Sequence, residues 1–433
     1  MVKIIGAGLA GCEAAYYLAN QGIQVQLYEM RPIQMTPAHQ TGDFAELVCS
    51  NSLRSNDPHN AVGLLKKEME LFDSLIMKAA YQASVPAGSS LAVDRQQFST
   101  YIKEALVNHP LVEIIYQEVT TIDVDAYTII AAGPLASDQL SKSIETLLGQ
   151  AYLHFFDAIA PIIEKESINM DVCYLKSRYD KGEAAYINCP MDEKAYRLFY
   201  DALVHAKTAE IKDFEHQVFE GCMPVEEMAY RGEQTLLYGP LKPVGLEKAG
   251  EKRAHAVVQL RQDDAQKSMY NMVGFQTHLT WPEQKRIIQM IPGLEHANIL
   301  RYGVMHKNTY IESPKVLNAS YQVKHIPKLF FAGQISGVEG YVESAASGLN
   351  CAIQLTQIIK HREPTPLPIE SMMGAMARYV STTNQSFVPM NANLGLLPEL
   401  GYKHSKKERK ALYAKRALLH LEAYKKEVVL NDR

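Results

Sequence analysis

The sequence predicts an α/β fold in which a parallel sheet is interrupted by an inserted α/β segment, because three strand-like runs each end in a small-residue turn. The first is Val2–Ile5, leading into Gly6-Ala7-Gly8-Leu9-Ala10-Gly11. The second is Thr128-Ile129-Ile130-Ala131-Ala132-Gly133-Pro134, and the third is Leu329-Phe330-Phe331-Ala332-Gly333-Gln334. At 433 residues the chain also exceeds a single core, so more than one structural unit is expected.

The opening unit reads strand, glycine turn, helix, strand. Ala14, Ala15 and Leu18 share one face of the helix, Gly22 ends it, and Ile23–Tyr28 alternates as a strand that terminates in Glu29. In a Rossmann-type unit of this kind Gly6 permits the tight turn and Gly8 lets the backbone approach a pyrophosphate. Gly11 brings the helix close to the strand, and the helix N-terminus faces the phosphate charge. The Gly6–Gly11 backbone, with Ala7, Leu9 and Ala10, is therefore the candidate phosphate cradle, and Glu29 the candidate ribose acceptor. The complete strand–turn–helix–strand–acid context makes the glycine pattern specific.

The third run is followed by Gly337, Gly340 and the helical stretch Ser344–Leu349. This late strand–glycine–helix unit resembles the flavin-ring segment of glutathione-reductase-type flavoproteins. Gly333, Gln334, Glu343 and Ser344 become candidate cofactor contacts, and FAD is favoured over NAD as the tightly held cofactor. The fold expected is thus a Rossmann-type FAD-binding domain of the glutathione-reductase class, assembled from residues 1–152 and 301–433. Residues 153–300 are expected to form an inserted α/β domain.

Composition sets the bounds. Hydrophobic residues at 47% and charged residues at 21% are ordinary globular values. No apolar run approaches the ~20 residues of a bilayer span, and a strand begins at once where a signal peptide would stand. A cytosolic location is expected, with no membrane partner. The six cysteines include no C-x-x-C pair, which argues against a zinc site and leaves no metal expected. Net charge is −4, yet nine Lys/Arg face two acids between Lys403 and Lys426. That stretch, with Lys406, Lys407, Arg409 and Lys410 at its start, is either a solvated helix face or a phosphate-contacting patch.

Three further segments carry chemistry. Phe44–Ser55 packs Glu46, Cys49, Asn51 and Arg54 into a short stretch. Glu220–Glu227 contains Gly221-Cys222-Met223-Pro224. Gly274–Trp281 holds His278 and the only tryptophan. Together with Gly6–Gly11, Gly333–Ser344 and Pro389–Asn393, these closely resemble the TrmFO family of folate- and FAD-dependent tRNA uracil-5-methyltransferases. The resemblance covers nearly the whole length. Larger tRNA-modifying flavoproteins of the MnmG kind share the FAD opening but carry an additional C-terminal region for which this chain is too short.

The resemblance implies methylenetetrahydrofolate as one-carbon donor, NAD(P)H as reductant of the flavin, and tRNA as substrate. It marks Cys222 as the nucleophile toward uracil and Cys49 as a thiol near the flavin that removes the C5 proton or guards the flavin. Uracil C5 is a poor nucleophile until a thiolate adds at C6, so a reactive cysteine is required. His278 and Trp281 are candidates for stacking a pterin, and Arg54 and Lys242 for holding its carboxylates. Two rival readings stay open: the same chemistry on a ribosomal RNA uridine, and an FAD-dependent thiol oxidoreductase using Cys49 and Cys222. An RNA-binding flavoprotein without catalysis is a third, disfavoured by the presence of both cysteines.

Overall fold

The computed structural model describes residues 1–149, 153–209, 223–248, 250–383, 387–405 and 407–429. The strand–turn–helix–strand opening forms as expected: β1 (Val2–Ile5), α1 (Leu9–Asn20) and β2 (Val25–Glu29). The second strand starts at Val25 rather than Ile23, because the Ile23 N–H turns back to Leu18 O at 3.1 Å and still closes the helix end. Further along lie β3 (Val112–Tyr116), β4 (Thr128–Ile130) and β5 (Ile326–Phe331), and the long helix α2 (Tyr341–Ile359).

These five strands pair in the order β5-β4-β1-β2-β3, all parallel, with Gln322–Val323 antiparallel on the outer edge of β5. The mixed α/β class with a parallel sheet is therefore the observed one. Strand β1 is central, which explains why Val2 and Ile4 are fully buried: both faces of a parallel sheet are covered.

Helices α1 and α2 cross closely, and small residues allow it. A Cβ on Gly348 would overlap the Ala10 carbonyl. Gly348→Ala is therefore expected to cost about 1–3 kcal/mol through overpacking, read as a lowered urea midpoint at unchanged m-value.

A second sheet is antiparallel throughout. Its order is Tyr174–Leu175, Tyr186–Met191, Ala256–Gln262, Met269–Met272, Ile162–Glu164, Ile299–Arg301. It has its own apolar core, with Ile163, Ile187, Val258, Leu260 and Met272 buried. Leu153–Ala158 pairs with Met305–Tyr310 where the chain leaves and re-enters the first sheet's neighbourhood. A small sheet of Ser52–Ser55, Ser90–Val93 and Ser84–Val85 carries Arg54. No helix among the described residues is long and apolar enough to cross a membrane.

Candidate active site

A cavity of about 500 Å³ opens at the carboxyl ends of β1, β2 and β4, where Ile5, Glu29 and Ala131 line it; the second sheet supplies another wall through Arg261 and Asn271. That position, at the strand ends of an open α/β sheet, is where such folds place ligands. The size suits a cofactor or drug-sized ligand.

The glycine turn fits a pyrophosphate. Gly8 caps α1, and a Cβ placed there would meet no protein atom within 4 Å, so open space lies over the helix N-terminus. A Cβ on Gly11, by contrast, would overlap the Gly6 carbonyl, so only glycine lets α1 start this close to β1. Gly6, Gly8, Leu9 and Ala10 line the cavity, while Ala7 is fully buried beneath them. An adenine dinucleotide such as FAD is compatible with this cradle.

Glu29 is more constrained than the sequence suggested. Its carboxylate accepts the Ala7 N–H at 2.9 Å, the Arg31 N–H at 3.0 Å and Arg31 Nε at 2.9 Å. Burial pushes this carboxyl up, but the Arg31 guanidinium and the two N–H donors outweigh it and hold it below the usual range. Arg31, itself buried, also donates to Glu46 at 3.1 Å. Glu46 in turn accepts the N–H groups of Gln40 at 2.9 Å and Thr41 at 3.1 Å, tying down the loop over the cradle.

On the opposite wall the late motif closes on itself. Gly333 donates its N–H to Ser347 Oγ at 2.7 Å, and Gln334 Nε2 donates to Glu339 at 2.6 Å. Gly333, Gln334 and Ser344 all line the cavity. Glu343 does not. It is fully buried, pairs with Arg54 and accepts the Ala392 N–H at 2.8 Å. Arg54, which does line the cavity, adopts a left-handed backbone with φ 60°. That conformation is held by Lys66, whose ammonium donates to Arg54 O at 3.2 Å and Ser55 O at 2.8 Å. Burial and the nearby Arg54 charge push the Lys66 amine down to about 7.

Cys49 sits on the cavity wall in a loop held almost carbonyl by carbonyl. Arg95 donates to Leu47 O and at 3.5 Å to Cys49 O, and Arg301 to Val48 O at 2.8 Å. Arg261 donates to Ser50 Oγ at 2.7 Å, and the Tyr341 hydroxyl accepts the Cys49 N–H at 2.7 Å. Asp263 is bound to Arg95 at 2.9 Å. Three guanidiniums converge on one four-residue loop, which fixes the backbone that carries the thiol, and Asp263 offsets the Arg95 charge.

The chain matches the family model described as Glucose inhibited division protein A over residues 1–363. It is 64% identical, over 98% of its length and 99% of the relative, to the methylenetetrahydrofolate--tRNA-(uracil-5-)-methyltransferase TrmFO of Acholeplasma laidlawii. The protein of the same name from Listeria innocua is 60% identical over 96% of this chain and 97% of the relative. The chain belongs to the TrmFO family. Among solved structures, Aquifex aeolicus GidA superposes with a TM-score of 0.72 at 16% identity, covering 99% of this chain and 73% of that one, a likeness of fold.

The remaining candidate residues of this TrmFO family member fall in different places. His278 is outside the cavity lining: its ring is buried, Nδ1 lies 2.7 Å from Glu226 Oε1, and the His278 backbone N–H donates to the same oxygen at 2.7 Å. Trp281 is 60% exposed and stacks on Tyr302 at 5.3 Å, also away from the cavity. Lys242, half-buried in the turn after Glu233–Tyr238, does not reach it either. Of the four proposed folate contacts only Arg54 lines the cavity. Lys407, Arg409 and Lys410 are exposed at the start of the helix Arg409–Tyr424. Cys222 and Lys406 lie outside the described residues.

Several residues on these walls carried no sequence signal of their own. Arg31 stands two positions beyond an acid whose role was already assigned. Arg261 left a faint trace, as a charge in the strand Ala256–Gln262, where all seven positions are buried. Asn271 and Asn308 left none.

Proposed function

We propose that this chain methylates C5 of a tRNA uracil, taking the carbon from methylenetetrahydrofolate, with FAD in the cavity and NAD(P)H as the flavin's reductant. The full-length similarity to proteins of that name carries the reading. The glycine cradle, Glu29 and the late motif are compatible with FAD spanning the cavity from α1 to the Gly333–Gly340 segment. Bound FAD, once reduced, would supply carriage of the one-carbon unit and the hydride that makes it a methyl.

The protein's own part is to activate and hold the uracil. Cys222 Sγ adds to C6, which gives C5 enolate character and lets it take the carbon. Cys49 takes the proton released from C5, and loss of the sulfur from C6 restores the ring. Cys222 lies outside the described residues, and the stretch that follows it is tied to a residue of the cavity lining. Val225 N–H, three residues beyond Cys222, donates to Gln276 O at 2.7 Å, and Gln276 lines the cavity. Glu226 then anchors this stretch through Thr277 Oγ1 at 2.8 Å and the His278 N–H. On this reading His278 positions the Val225–Glu226 stretch.

The reading is tested by incubating the purified protein with methylenetetrahydrofolate, NADPH and an unmodified tRNA transcript, then digesting for mass spectrometry. 5-Methyluridine in the T-loop is the expected product. Methyl found only in ribosomal RNA would overturn the tRNA assignment, and NADPH-driven disulfide reduction without methyl transfer would overturn both. For RNA contact we assign the exposed Lys407, Arg409 and Lys410. Lys407→Ala and Lys410→Ala should each weaken tRNA binding and reduce the slope of log affinity against log salt by about one. An unchanged slope would remove the helix start from the interface.

A further inference from the structure

Beside the Cys49 loop, in and behind the cavity lining, lie polar side chains that the scheme above leaves unused. Asn51 is fully buried and donates Nδ2 to Val93 O and to Gln262 O, each at 2.9 Å. Its Oδ1 accepts from Arg261 Nε at 2.9 Å. Arg261 Nη2 donates to Ser50 Oγ at 2.7 Å and to Asn271 Oδ1 at 3.4 Å. Because a guanidinium only donates, Asn271 must turn its oxygen toward Arg261. Its Nδ2 then faces the other way, and it has no partner although the residue is 3% exposed. Asn308, 1% exposed, leaves Oδ1 without a partner. Arg261, Asn271 and Asn308 all line the same cavity as Cys49.

Buried polar atoms are nearly always hydrogen-bonded, so two orphans on residues lining one cavity point to a ligand that satisfies them. The set offers a donor from Asn271, an acceptor from Asn308 and a guanidinium donor from Arg261. That is the complement of an imide edge, in which two carbonyls flank one N–H. We propose that Arg261, Asn271 and Asn308 form a subsite that reads the imide edge of a planar heterocycle beside the Cys49 loop, to which Arg261 is tied through Ser50. Both the pyrimidine ring of a flavin and a uracil base carry this edge. The inference rests on the reading above that this cavity takes one or both of them, and its first test requires no methyl transfer.

Isosteric variants separate donor from acceptor. Asn271→Asp keeps an oxygen for Arg261, so the internal contact survives, but replaces the cavity-side donor with an acceptor. It is expected to weaken binding by about tenfold or more, the scale of leaving a buried group unpaired. Asn308→Asp keeps its acceptor and should lose less than Asn308→Leu, which removes it. Asn271→Ala, adding no charge, should weaken binding in the same direction as Asn271→Asp, and a thermal melt of each variant separates binding loss from unfolding.

The first arm measures the FAD dissociation constant of apoprotein by flavin fluorescence, with 3-methyl-FAD, whose N3 cannot donate, as a second probe. The other arm measures KM for tRNA at saturating FAD. A shift in the FAD arm, with poor binding of the 3-methyl probe, assigns the subsite to the flavin edge. An unchanged FAD constant with a raised KM and near-constant kcat assigns it to the uracil. The proposal is overturned if neither arm moves, or if both aspartate variants lose equally in each. A shift in the FAD arm from an enzyme that methylates no RNA would leave this inference standing and sink the functional reading.

Discussion

Cys222→Ala is expected to lower 5-methyluridine formation by about three orders of magnitude or more, the scale of removing a covalent nucleophile, with FAD content unchanged. Cys49→Ala should also lose turnover, but at a different step. If Cys222 adds to C6 and Cys49 only takes a proton, a T-loop hairpin containing 5-fluorouridine should be trapped covalently by Cys49→Ala and not by Cys222→Ala. Denaturing gel shift reads the adduct. The opposite pattern would exchange the two roles, and trapping by both variants would show that neither thiol is the nucleophile. The Cys49 loop is rigidly held by Arg95, Arg301, Arg261 and Tyr341, so Cys49→Ala should change chemistry with little cost in stability.

The second large effect is expected at Arg31. Arg31→Leu would leave the Glu29 carboxylate, 5% exposed, without its counter-ion. Breaking a buried pair from one side costs about 3–5 kcal/mol, and FAD retention should fall with it because Glu29 lies at the cradle. The pH dependence gives a second readout. In the wild-type protein Glu29 is held below its usual value, so the unfolded state binds its proton first on acidification. That contribution is fully present above the unfolded carboxyl value of about 4.3 and is lost as pH falls through the folded one. Without Arg31, burial dominates and pushes the carboxyl up. The folded state then takes the proton first, and the variant should gain stability as pH drops from 7 toward about 4.3. Urea midpoints across that window check the sign; a variant with the wild-type slope would show that the Ala7 and Arg31 backbone donors alone hold the charge.

How much of the site could be read in advance depended on whether its parts are neighbours in the chain. The cradle was legible because Gly6, Gly8, Gly11 and Glu29 act within one strand–helix–strand unit, where spacing alone fixes geometry. The late motif was legible for the same reason, although Glu343 proved to be an internal partner of Arg54 instead of a cavity residue. His278 and Trp281 are the opposite case. Their ring chemistry suits a pterin, but ring chemistry does not say which way a side chain points. His278 is turned to Glu226, and Trp281 is outside with Tyr302.

The sequence by itself determined the α/β class, the family and a glycine turn that lines the cavity, and it singled out two cysteines. Each is carried by a local pattern of residue types, and local patterns constrain the backbone directly. Only the tertiary structure decided that Arg31 neutralises Glu29, that three arginines clamp the Cys49 loop, and that Asn271 and Asn308 line one cavity with unpaired atoms. The contacts around the Cys49 loop join residues near 50, 95, 261, 271 and 301. They depend on how two sheets are registered and packed against each other, and burial turns each unmatched donor or acceptor there into a demand that a ligand must meet.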